Sequence, residues 1–141
     1  MSFYLDASVI VPILVDEVAS AVVERFLREA ADPLVVGDFA AMEVASAMSR
    51  PVRMKSLPSE VAVVRLGEFD AWRSAETSSL DLQPADLRLS GVFVRRFDLG
   101  LRAPDALHAA VCRRGDHTLV TPDKRLAAAA EALGVRVECL V

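Results

Sequence analysis

Short apolar runs alternate with helical stretches along the whole chain, and this alternation limits the architectures open to it. Residues 2–6, Leu34-Val35-Val36, Leu80-Asp81-Leu82, His117 to Thr121 and Val135 to Cys139 read as brief strands. An apolar helical stretch runs from about Ser8 to Val15. Residues 17–30 place Val18, Val22, Val23, Phe26 and Leu27 at helical spacing. Further helices are predicted over about 39–49, 58–76, 84–97, 104–114 and 123–132. Asp38 is expected to cap the first of these. Pro51 is expected to end it, and residues 52–57 to form a basic loop. Pro104 suits a first helical position, where its missing N–H costs nothing. Strands separated by helices predict one α/β domain over residues 1–141. Its centre is expected to be a mostly parallel sheet of four to five short strands, flanked by helices.

Four acids sit where packing alone does not call for them. Asp6 ends the apolar run Phe3-Tyr4-Leu5. Glu43 interrupts a helical pattern of small apolar residues, with Ala40 and Ala47 on its own face. Asp105 follows Pro104, in a first turn where the helix dipole favours a carboxylate. Asp123 follows the apolar run Leu119-Val120-Thr121. Asp6 and Asp123 fall at strand carboxyl ends, the edge at which parallel sheets bind ligands. Carboxylates are seldom buried unless paired or bound to metal. Together the four suggest one shared cation site, and hard cations such as Mg²⁺ prefer such oxygen ligands. Each also has a plainer reading: Asp6 and Asp123 as N-caps, Asp105 as dipole compensation, Glu43 as a surface residue. Ser8 suits either a helix cap or a bond to a ligand oxygen. His108, one turn after Asp105, reads as a packed, hydrogen-bonded core histidine, with orienting a carboxylate or contacting RNA as its other roles. Asp38, Asp81, Asp86, Asp98 and Asp116 read as turn and cap residues.

Composition excludes some classes. The longest uncharged apolar stretch, Ala7 to Val15, is well short of the roughly 20 residues a membrane span needs. No basic leader precedes an apolar segment, so no signal peptide is expected. Cys112 and Cys139, the only cysteines, do not make a disulfide scaffold, and a reduced, cytoplasmic protein is expected. The net charge of −4 reflects 16 basic and 20 acidic residues. With the four site acids set aside the remainder is neutral, so charge neither supports nor excludes RNA. Arg102 and Lys124 flank the expected site. An apolar fraction of 53% hints at surface covered by a partner or a second copy.

Tyr4-Leu5-Asp6-Ala7-Ser8, Glu43 within Ala41-Met42-Glu43-Val44, Leu101 to Ala110 and Leu119 to Leu126 occur in order over the whole chain. The set resembles the PIN-domain nucleases, in particular the VapC-type toxins of toxin–antitoxin pairs. The resemblance implies a single PIN-like domain with metal-dependent endoribonuclease activity. It implies that Asp6 and Asp105 are the principal ligands of Mg²⁺ or Mn²⁺, with Glu43 and Asp123 completing the pocket, partly through water. It implies an RNA substrate, a homodimer, and silencing by a small cognate antitoxin. Two departures are Asp38, where relatives often carry Ser or Thr, and Pro122 inside the last motif. The competing reading is a non-catalytic PIN-like module that binds RNA or protein. A response-regulator receiver fits poorly, because Asp6 has no acidic neighbour.

Overall fold

Every strand pair in the sheet is parallel, so each connection must cross over the sheet and carries a helix. The computed structural model describes all of residues 1–141. The chain runs β1 (Phe3–Leu5), α1 (Ala7–Leu14), α2 (Ser20–Glu29), β2 (Leu34–Val35), α3 (Asp38–Arg53), α4 (Ser59–Glu76) and β3 (Thr77–Ser78). It continues through α5 (Pro84–Val94), a 3₁₀ turn (Phe97–Leu99), α6 (Ala103–Gly115), β4 (Thr118–Thr121), α7 (Lys124–Ala132) and β5 (Val137–Cys139). The five strands lie in the order β3-β2-β1-β4-β5, which sets β1 at the centre. Phe3 pairs with Leu34 on one side and Thr118 on the other.

Side chains alternate across the central strands and divide the core in two. Tyr4 and Leu119 point to one face, where α5, α6 and α7 cover them with Phe93, Ala109, Cys112 and Leu126. Leu5 and Val120 point to the other, beneath α1, α3 and α4, with Val9, Ile10, Val44 and Phe69. Leu5, Leu119 and Val120 are fully buried. A Leu-to-Ala truncation at such a position costs about 2–5 kcal/mol. The apolar runs are therefore double-sided, as strands covered on both faces must be.

Several elements differ from the sequence expectation. Pro51 does not end α3, which runs on to Arg53. A proline in the final turn gives up one backbone bond near an end that is already open, and its carbonyl accepts from Ser56 and Leu57. Asp38 is not the cap of α3; Gly37 holds that position. The Asp38 carboxylate instead pairs with Arg73 at 2.9 Å. The third strand is Thr77–Ser78, not Leu80-Asp81-Leu82. Leu80 packs against the core instead, with its side chain over Gly37. Asp86 does cap its helix, closing a capping box with Gln83. No helix is long and apolar enough to cross a membrane.

Candidate active site

The strand order creates a crevice. From β1 the chain builds outward through β2 and β3, then returns to the far side of β1 to lay down β4 and β5. Between β1 and β4 the direction of winding reverses, and ligands of such sheets bind beyond the strand carboxyl ends at that point. Asp6 follows the last residue of β1, and Asp123 lies two residues beyond β4. The hydroxyls of Ser8 and Thr121 come to 3.5 Å across the gap.

Both acids cap helices, and both do so with one oxygen. Asp6 Oδ1 accepts from the Ser8 backbone N–H at 3.1 Å and from its hydroxyl at 2.5 Å, closing the start of α1. Asp123 Oδ1 accepts from the backbone of Arg125 at 2.9 Å and Leu126 at 3.3 Å, closing the start of α7. Thr121 Oγ1 in turn accepts from the Asp123 N–H at 3.1 Å, so Pro122 does not displace that turn. The plain N-cap readings are thus correct, and each leaves Oδ2 without a protein partner. No unpartnered side-chain oxygen is sealed from solvent, so these oxygens remain reachable. Asp105, in the first turn of α6, accepts no hydrogen bond from the protein.

Glu43 reaches the site from α3. Its Oε1 lies 2.5 Å from Nε2 of His108, on α6. His108 is buried, and its Nδ1 lies 2.6 Å from the Tyr4 hydroxyl. The histidine therefore packs in the core and bonds a carboxylate at once. Sequence reasoning missed Tyr4; its one visible signal is a hydroxyl inside an otherwise apolar strand.

Burial raises the Asp6 carboxyl above the ordinary range; His108 and Ser8 oppose the rise, and Glu43 adds to it. Burial likewise raises Asp105, against Arg102 and His108, with Asp123 and Glu43 adding to it. All four acids thus enter one electrostatic neighbourhood. Burial also pushes the Tyr4 phenol far up, so it stays protonated. The donor set is all carboxylate oxygen, which suits a hard divalent cation. Yet no three His, Cys, Asp or Glu side chains converge closely enough to hold a metal ion in this arrangement.

A small cleft joins two of the acids. Asp105 and Asp123 line it together, with Gly100, Leu101, Arg102 and Arg125. Gly100 takes a left-handed turn there, with φ 61°, which glycine adopts without strain. Asp6 and Glu43 do not line this cleft. Of the two cations expected to flank the site, Arg102 lines this cleft and Lys124 does not; Arg125 lines it as well.

Residues 3–132 match the PIN domain, and the chain belongs to that family. Solved structures share its fold at low identity. VapC20 of Mycobacterium tuberculosis, a Sarcin-Ricin loop cleaving toxin, is 14% identical, with TM-score 0.71 over 90% of this chain and 94% of that one. DNA-bound VapBC from Salmonella typhimurium is 16% identical, with TM-score 0.70 over 100% and 99%. FitAcB from Neisseria gonorrhoeae is 14% identical, with TM-score 0.71 over 96% and 95%. No curated protein matches the chain in sequence.

Proposed function

We propose that this PIN domain is a metal-dependent endoribonuclease toxin, held inactive by a cognate antitoxin. The observation that carries the reading is that Asp105 and Asp123 line one cleft, while Asp6 stands at the carboxyl end of the neighbouring strand β1 with one oxygen that the protein leaves unpaired. Asp6 and Asp105 would be the principal holders of Mg²⁺ or Mn²⁺, with Glu43 and Asp123 completing the set. Such an ion, when bound, activates a water and offsets charge on a phosphate. Arg102 and Arg125 stand beside Asp105 and Asp123 and suit the phosphates of an RNA strand. Nothing in the chain resembles a Ser-His or Cys-His nucleophile pair at this edge.

The antitoxin reading draws on the VapBC and FitAcB likenesses. An apolar groove lined by Phe39, Leu87, Val94 and Leu107 runs past Pro104, beside the turn that carries Asp105. It suits a protein partner. Exposed Val92 and Phe97 support self-association as a homodimer. A cytoplasmic site of action belongs to the same reading.

One observation favours the alternative, a non-catalytic PIN-like module that binds RNA or protein: the carboxylates do not form a ready ligand cage. The deciding experiment incubates antitoxin-free protein with total cellular RNA and Mg²⁺, beside an EDTA control and the Asp6→Asn variant. Discrete fragments seen only with metal and Asp6 establish the nuclease. No cleavage together with no metal-dependent stabilisation establishes the binding module.

A further inference from the structure

We propose that Tyr4 and His108 are positioning residues for Glu43, forming a buried relay that fixes which side of the carboxylate is held. The inference rests on the reading of Glu43 as a site acid. Its ground is a proton arrangement that the geometry leaves unique.

Glu43 Oε1 is 2.5 Å from His108 Nε2. An ionised carboxylate only accepts, so Nε2 carries a hydrogen. The Tyr4 hydroxyl is 2.6 Å from Nδ1 and has no other hydrogen-bond partner. Were Nδ1 also protonated, the hydroxyl would have to accept, and its own hydrogen would be stranded. Tyr4 and His108 are each only 1% exposed, so bulk water does not reach the hydroxyl. Nδ1 therefore accepts from Tyr4, and the ring is locked as the Nε2–H tautomer. The arrangement is assigned from the hydrogen bonds.

Packing holds the ring in this pose. The Phe39 ring lies against His108 with centroids 5.0 Å apart, and the Tyr4 ring lies on it at 5.5 Å. Tyr4 itself is anchored on the central strand, with Val35 and Leu119 as its neighbours in the sheet. One strand thereby sets two acids by separate routes. Asp6 follows β1 directly along the chain; Glu43, on a distant helix, is set through Tyr4 and a histidine of a third element. A tyrosine in an apolar strand and a histidine in the middle of a buried helix face otherwise have no packing reason to be polar.

The test uses the full chain. Long-range ¹⁵N–¹H NMR of the metal-free protein at neutral pH should show His108 protonated at Nε2 and bare at Nδ1. Tyr4→Phe should keep native circular dichroism, yield mixed tautomers, and weaken calorimetric Mn²⁺ binding by roughly 10- to 100-fold, the usual cost of losing an outer-shell partner. His108→Gln offers Glu43 a donor without engaging Tyr4. In that background Tyr4→Phe should have no further effect on Mn²⁺ affinity. Wild-type His108 bare at Nε2 or protonated at both nitrogens overturns the relay, as do additive losses in the double variant. A wild-type protein that binds no Mn²⁺ sinks the metal reading of the site, while the tautomer still decides the relay.

Discussion

Ser8 gives both of its donors to one oxygen of Asp6, the backbone N–H at 3.1 Å and the hydroxyl at 2.5 Å. The relationship splits the carboxylate into a structural half and a free half. Asp6→Asn keeps an accepting oxygen for Ser8 and removes the charge. The expected outcome is a folded protein with RNA cleavage reduced at least about 100-fold, on the scale of the several kcal/mol a metal contributes. Gel assays beside circular dichroism check it; wild-type cleavage by the variant ends the assignment.

The buried acids also predict how stability varies with pH in metal-free buffer. Folded Asp6 and Asp105 hold their protons above the ordinary carboxylate range, chiefly through burial. Unfolding lets them ionise more readily. Their penalty is therefore absent below the unfolded value and grows as pH rises from there through the folded one. Asp6→Asn should melt higher than wild type at pH 7, by about 2–4 °C for each kcal/mol of relieved penalty. The gap should close toward about pH 4, where even an unfolded aspartate is half protonated. Adding Mn²⁺ should raise the wild-type Tm and leave the variant's nearly unmoved. Calorimetric scans across pH test both; an Asn variant that melts lower at neutrality refutes the burial argument.

Arg102 and Arg125 line the cleft with Asp105 and Asp123. If they meet RNA phosphates, Arg125→Ala should weaken binding to all single-stranded RNA alike. Each lost contact should reduce the slope of log affinity against log salt by about 0.7. Fluorescence anisotropy over a salt series measures this. An unchanged slope removes Arg125 from the RNA surface.

Asp86 is fully buried and meets the Arg114 guanidinium, with Nε at 2.5 Å and the second contact at 3.1 Å, joining the start of α5 to the end of α6. Arg114→Met strands that carboxylate. The expected loss is about 1–3 kcal/mol, below the full cost of breaking a buried pair because Arg114 itself reaches solvent. Urea unfolding measures it, and RNA cleavage at low temperature should persist.

The alternation of elements was legible because strands buried on both faces must be apolar throughout, and helices must present apolar stripes. The placement of Asp6, Asp105 and Asp123 at element ends was legible because strand ends and helix starts can be located from Leu5, Pro104 and Thr121. What stayed hidden depends on contacts distant in sequence. Asp38 looks like a cap, but Arg73 reaches it from α4. Thr77–Ser78 carries no strand signal; it becomes an edge strand because β2 offers it a ladder. Leu80-Asp81-Leu82 has the alternation of a strand and no neighbour to pair with. Histidine at position 108 reads as core from its surroundings, and only the fold shows Tyr4 beneath it and Glu43 above.

The place of β1 between β2 and β4 has a consequence for timing. β1, which Asp6 follows, precedes β4, Asp105 and Asp123 in the chain and is therefore made before them. Until the chain has been extended past Thr121, β1 lacks its second neighbour and the crevice has only one wall. For the proposed nuclease this ordering would keep the site from forming early. A translation product interrupted before Ala103 carries Asp6 and Glu43 without Asp105, Asp123 or the wall that β4 supplies, so a half-built chain has no crevice.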